Sequence, residues 1–246
     1  MHPCAVGPAI ADFDRDGDLD VILAASTARD MQINVTPQVD GASPIFREQQ
    51  VNTYEANEQH VPVTIGLQGP NNGGYVVIWR SYTQDGDHYG VYGQRYDAKG
   101  AAVGAEFQVN SQTLGAQYEP EVTSLANGGF VVAWRGDSGQ DGSGAGVYGQ
   151  IYGADGARVG AERQFNATTT SSQYEPALVG LADGSFVVAY RSDYTNAAGT
   201  YLYDVLARRF DAAGLAAALV AAGFTVVAAE VIPGPLPIGH VVAAVG

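Results

Sequence analysis

The chain has 246 residues and a formal net charge of −14, with 26 acidic against 12 basic side chains. That balance lacks the basic footprint of a nucleic-acid partner and suits cation binding or a soluble secreted surface. A single cysteine, Cys4, excludes an internal disulfide. The 32 glycines and 14 tyrosines, set among β-branched runs, point to an all-β protein with many tight turns.

The opening stretch, MHPCAVGPAIADFDRDG, has no basic segment followed by an apolar run, so it is not expected to be a secretory signal peptide. Short strands are predicted over residues 8–10, 21–25, 31–35 and 46–52. Between the first two lies an acidic loop in which Asp12, Asp14, Asp16, Asp18 and Asp20 alternate with other residues and Gly17 permits a sharp bend. Five carboxylates within nine residues repel one another unless a cation neutralises them, and hard Ca²⁺ takes several oxygen ligands at once. Asp12, Asp14, Asp16 and Asp20 are expected to supply side-chain oxygens and Asp18 its main-chain carbonyl. An EF-hand is disfavoured: its twelfth position is Leu23 where a bidentate Glu is needed, and the flanks have no helical period.

From residue 58 the chain repeats. Gly73–Arg80 reads GGYVVIWR, Gly128–Arg135 GGFVVAWR and Gly184–Arg191 GSFVVAYR, at steps of 55 and 56 residues. Gln117-Tyr118-Glu119-Pro120 returns as Gln173-Tyr174-Glu175-Pro176, and GVYGQ at 90–94 returns at 146–150. A period in this range marks a stacked or radial array of one supersecondary unit. In GGFVVAWR, Phe130, Val132 and Trp134 alternate with Val131, Ala133 and Arg135, so both faces are largely apolar and the strand is expected to be covered on both sides. Asn127-Gly128 and Asp183-Gly184 are hairpin signals between this strand and the preceding one, predicted over 121–125 and 177–181. Further strands are predicted over 91–96 and 147–152, then over 106–110. Four antiparallel strands per repeat, each sheet covered on both faces, describe a β-propeller blade; a β-sandwich or an elongated solenoid is the alternative.

Trp79, Trp134 and Tyr190 sit mid-strand and are assigned to blade packing rather than to sugar stacking. Arg80, Arg135 and Arg191 follow them and are candidate ligand-binding residues, lining a channel or one face. Such a trio would suit an acidic sugar, but no nucleophile and acid pair accompanies it at consistent positions. His2, His60, His88 and His240 have no ligand spacing, and there is no nucleotide-binding glycine motif, nucleophile elbow or H-E-x-x-H. No catalytic residue is assigned.

The last 32 residues change character. Residues 215–222 (LAAALVAA) read as a short helix ended by Gly223, and 224–232 and 240–245 as strands. The 18 residues 215–232 match a membrane span only in length; Glu230, Gly223 and the β-branched residues argue against insertion.

Residues 8–25 resemble the FG-GAP (VCBS, integrin-α-like) repeat, a propeller blade whose D-x-D-x-D-G-x-x-D hairpin binds Ca²⁺. Residues 58–214 resemble a repeat of large bacterial secreted proteins of the RTX and adhesin type, through Gly128–Trp134, the block from Asp141 to Gln150, and Gly104–Asn110. The nonapeptide calcium repeat of RTX proteins is absent. Together these readings give an all-β propeller of about four four-stranded antiparallel blades, spanning about 6–57, 58–113, 114–169 and 170–214, with a tail over 215–246. Four is the lower limit for propellers, so an open or truncated ring is included in the expectation. The expected role is a calcium-binding extracellular module for adhesion or for binding a cell-surface glycan or protein. A glycan-active propeller enzyme of sialidase or lyase type, and a structural spacer of a larger surface protein, are the alternatives.

Overall fold

The computed structural model describes residues 9–11, 20–26, 31–36, 49–137 and 139–211. The acidic-loop residues Asp12, Asp14, Asp16 and Asp18, and the tail from residue 212, lie outside them.

The described residues form four antiparallel sheets, each a meander of strands in sequence order. The first comprises β1 (Ala9–Ala11), β2 (Asp20–Ser26), β3 (Met31–Thr36) and β4 (Gln49–Gln50). The second comprises β5 (Gln59–Gly66), β6 (Tyr75–Tyr82), β7 (Tyr89–Tyr96) and β8 (Ala102–Gln108). The third comprises β9 (Gln117–Ser124), β10 (Phe130–Gly136), β11 (Gly146–Tyr152) and the two-residue β12 (Arg163–Gln164). The fourth has three strands among the described residues: β13 (Gln173–Gly180), β14 (Phe186–Thr195) and β15 (Tyr201–Phe210). The only helical turn among them is a short 3-10 segment, Gly69–Asn71. No helix among the described residues is long and apolar enough to cross a membrane.

The sheets stack through the two-sided apolar strands. Phe130, Val132 and Trp134 of β10 join Val76, Ile78 and Val91 of the second sheet in one core cluster. Val131 and Ala133, on the opposite face of β10, join Phe186, Val188 and Tyr190 of the fourth sheet in another. The third sheet is therefore enclosed on both sides, as the alternation in GGFVVAWR predicts, and Trp79 and Trp134 are fully buried. Each large side chain so buried contributes about 2–3 kcal/mol. The first strands β5, β9 and β13 pack on one another, and β1 and β2 pack on β5. Consecutive meander sheets stacked face to face on converging first strands are the architecture of a β-propeller.

The connections between sheets carry a buried polar staple. Asn110 Oδ1 accepts the Val91 amide at 2.8 Å, while its Nδ2 donates to Gln117 Oε1 at 3.0 Å and to the Gln112 carbonyl at 2.9 Å. Asn166 repeats this with Val147, Gln173 and Thr168 at 2.8, 2.7 and 2.8 Å. Carboxylate clasps tie the outer end of a sheet back to the linker that leads into it. Glu106 accepts from the amide and hydroxyl of Thr53, at 2.5 and 2.8 Å, and Glu162 from those of Ser111, at 2.6 and 2.7 Å. Asn110 and Asn166 thus end the fourth strands instead of extending them. This is why β8 stops at Gln108 and β12 at Gln164, short of the strand predicted to reach Asn110.

The first strands begin earlier than predicted, because they absorb the Gln-Tyr-Glu-Pro motif through a bulge. In β9 the register skips between Tyr118 and Glu121, and in β13 between Tyr174 and Ala177. The bulge takes a proline, which has no amide to donate, out of the ladder. Glu119 and Glu175 both sit at φ 52°, and Val61 occupies the same place in β5 at φ 51°. A left-handed backbone at a β-branched residue is rare, and the same bulge in three sheets re-aims the residues beside it.

Candidate functional site

The bulge residues and the arginines after the buried aromatics meet at one end of the sheets. Arg80 in β6 lies opposite His60, Arg135 in β10 opposite Tyr118, and Arg191 in β14 opposite Tyr174. The guanidinium carbon of Arg80 is 4.7 Å from the centre of the Tyr89 ring and 5.2 Å from that of Tyr118. Arg135 stands 5.4 Å from Tyr118 and 4.4 Å from Tyr174, and Arg191 4.7 Å from Tyr174 and 5.1 Å from Tyr203. The order Tyr89–Arg80–Tyr118–Arg135–Tyr174–Arg191–Tyr203 is an unbroken ladder of cations on ring faces that crosses three sheets. Each contact of this kind contributes about 0.5–1 kcal/mol where partly exposed. Tyr118 and Tyr174 each sit between the arginine of the preceding sheet and that of their own.

At the second-sheet end Tyr82 packs on Tyr89 at 4.9 Å, and the His60 ring meets Tyr89 edge-on at 5.9 Å. At the fourth-sheet end Tyr203 is 58% exposed and lies 5.3 Å from the equally open ring of Tyr201. The ladder therefore presents aromatic surface to solvent at both ends, with its middle rungs half-buried.

Carboxylates neutralise most of the positive charge. Arg135 Nε donates to Asp137 Oδ1 at 2.7 Å, and its Nη1 reaches Glu119 at 3.5 Å. Burial works against the Arg135 charge, but Asp137 and Glu119 outweigh it and hold its pKa above the ordinary arginine value. Arg191 pairs with Glu175 at 2.9 Å and with the buried Asp193 at 3.4 Å. Asp193 also accepts the Tyr201 hydroxyl, and that hydrogen bond is the main reason the Tyr201 pKa is pushed up to about 12. Glu119 Oε2 takes the Glu175 amide of the next sheet at 2.8 Å. What remains on this end is a set of oriented donors and ring faces with little net positive charge.

The three sequence-predicted arginines are thus brought into one row. The trio was expected to suit an acidic sugar, but Arg135 and Arg191 are each already held by two carboxylates. The tyrosines that complete the row carry no ligand-binding signal in the sequence beyond the repeated Gln-Tyr-Glu-Pro motif, which marks Tyr118 and Tyr174. Of the five aspartates assigned to calcium, the described residues include only Asp20, where β2 begins. The Gln84-Asp85-Gly86-Asp87 loop is occupied by internal hydrogen bonds: Asp85 accepts from Asn110 at 3.1 Å and Asp87 from the Gly115 amide at 2.9 Å.

No family model matches the chain, and no curated protein matches it. Among solved structures it is similar to an alpha-L-arabinanase from Penicillium chrysogenum complexed with arabinobiose. The identity is 13% and the TM-score 0.55, over 85% of this chain and 63% of that one. It is also similar to an alpha-L-arabinofuranosidase from Fusarium graminearum in complex with an iminosugar inhibitor, at 11% identity and a TM-score of 0.54, over 85% and 63% of the respective chains. At these identities the likeness is one of fold, and the chain spans 63% of the length of each.

Proposed function

We propose that this chain is a propeller module of four blades, open between the first and the last, that binds neutral glycan chains along the arginine–tyrosine ladder. The observation that carries this reading is the ladder itself. Tyrosine faces suit the apolar C–H faces of sugar rings, and the guanidinium edges between them offer hydrogen-bond donors to hydroxyls. Because Arg135 and Arg191 are charge-compensated, neutral sugars fit this row better than acidic ones. The fold shared with an arabinanase and an arabinofuranosidase supports a carbohydrate ligand and makes arabino-oligosaccharides the first to try.

Binding is favoured over hydrolysis. Glycoside hydrolysis uses two carboxyl groups with separate roles flanking one bond. Here Glu119 and Glu175 occupy equivalent repeat positions and each pairs with its own arginine. The Asp12–Asp20 loop is proposed to hold Ca²⁺ and fix the first sheet, and the module is proposed to act outside the cell.

The test is calorimetric titration with arabinobiose and longer arabino-oligosaccharides, beside an acidic-sugar series. Saturable binding that Tyr203→Ala weakens at least tenfold supports the reading. Binding confined to acidic sugars, or indifferent to Tyr203→Ala, Tyr82→Ala and Arg80→Ala alike, overturns it. Release of reducing ends from the oligosaccharide overturns the preference for binding over catalysis.

A further inference from the structure

The outer face of the fourth sheet is built like a face that another sheet covers. Val91, Val147 and Val205 are register equivalents, each lying opposite the ladder arginine of its own sheet. Val91 and Val147 are completely buried, whereas Val205 is 81% exposed. On the same face Val179 is 51% exposed, and Ala177, Ala189 and Ala207 form a flat row across the three strands.

The polar contacts between sheets also stop there. Glu119 spends one oxygen on the arginine of its own sheet and the other on the Glu175 amide of the next. Its equivalent Glu175 pairs with Arg191 through Oε1 and is 61% exposed, so the same outward acceptor points beyond the last described sheet. Apolar area and an acceptor for a partner amide both recur in the pattern that joins the third sheet to the fourth.

We propose that this face docks the first sheet of a second copy of the chain, head to tail. The two inner interfaces use the same pair of faces, so the partner must offer the face with which one sheet meets the sheet before it. Within the chain the third and fourth sheets already use that face on their predecessors. Among the described residues no sheet comes before the first. The sequence of its central strand β2, DVILAAS, has Val21, Leu23 and Ala25 at one alternating set of positions and Ile22 and Ala24 at the other, and β1 and β2 pack on β5. A head-to-tail interface that does not close grows into open assemblies.

Sedimentation velocity of the full chain over about a hundredfold range of concentration tests this. The wild type is expected to form species larger than a monomer as concentration rises. Val205→Glu and Val179→Glu are each expected to remain monomeric with an unchanged melting temperature. Because the Val205→Glu chain keeps its first sheet, adding it in excess is expected to cap and shorten wild-type assemblies. A wild type that stays monomeric, or assemblies indifferent to both substitutions, overturns the proposal. So does a fall in the melting temperature of the dilute Val205→Glu monomer, which would mean that the face is covered from within. Failure of capping overturns the head-to-tail partner in favour of a face-to-face one.

Discussion

Gly149, in the middle of β11, is the position where one methyl group should do most damage. A Cβ there would lie 1.9 Å from Phe165 Cε2, 2.5 Å from Phe165 Cζ and 2.7 Å from the Val132 carbonyl oxygen. Phe165 is fully buried in the cluster between the third and fourth sheets, so its ring cannot swing into solvent. The Val132 oxygen belongs to the β10 backbone, which is clamped between two cores. Where there is room, replacing Gly by Ala stabilises by about 0.4–1 kcal/mol through the unfolded chain. Overpacking a filled core costs about 1–3 kcal/mol, and contact with both a buried ring and a fixed carbonyl places Gly149→Ala near the upper end. A loss of about 3 kcal/mol lowers the melting temperature of a chain this long by about 6–12 °C. Gly184→Ala is the control: its φ is +85°, which strains any side chain, but nothing lies within 4 Å of the added carbon. It should cost about 1–2 kcal/mol. Thermal melts followed by near-ultraviolet circular dichroism, repeated in a Phe165→Ala background, separate the two causes. If Gly149→Ala costs no more than Gly184→Ala, or costs as much without the Phe165 ring as with it, the packing argument is wrong.

Three further outcomes follow from the same geometry. The Trp79 indole donates to Gln59 Oε1 at 3.0 Å, while that of Trp134 has no hydrogen-bond partner among the described residues; Trp79→Phe should therefore cost about 1–3 kcal/mol more than Trp134→Phe in urea melts. Tyr118→Leu keeps apolar bulk but removes the ring between Arg80 and Arg135, and should cost about 1–2 kcal/mol, with most of the loss gone in an Arg80→Leu/Arg135→Leu background. Burial raises the Glu121 pKa above the ordinary carboxylate value, so the folded state holds this proton more tightly than the unfolded state. Its contribution to stability then falls as pH rises from the ordinary value through the raised one, and stays unfavourable above it. Glu121→Gln should raise the melting temperature at neutral pH, with the gain fading as the medium is acidified toward the ordinary carboxylate range.

The repeat arithmetic made the stacking legible. Alternation in GGFVVAWR named the residues that enter each of two cores, because a strand covered on both faces leaves a two-sided apolar record. The Asn-Gly and Asp-Gly hairpins were equally readable: Gly128 and Gly184 sit at φ 89° and 85°. The start of the first strands was not readable. Pro120 and Pro176 look like strand breakers until the bulge shows that they stand outside the ladder. The arginines were picked out by their position after the core aromatic, but their partners come from neighbouring sheets about 38 to 39 residues away. No pattern within one repeat records which tyrosine of the next sheet will lie over a given guanidinium. The charge compensation by Asp137 and Asp193 also depended on packing, since a carboxylate two residues from an arginine on a strand is equally consistent with a solvated pair.

The Asn–Gln staples and carboxylate clasps have a consequence for how the array comes apart. Each staple bonds the end of one sheet to the start of the next, and each clasp bonds the end of a sheet to the linker from the sheet before it, so separating two sheets means breaking polar contacts as well as apolar ones. Stability in such stacked repeats is close to a sum over neighbours, and the third sheet has a described neighbour and a staple on either side. Amide hydrogen exchange should therefore be slowest in β10 and β11 and quicken through β14 toward β15, a gradient of fraying that starts at the uncovered end and runs inward.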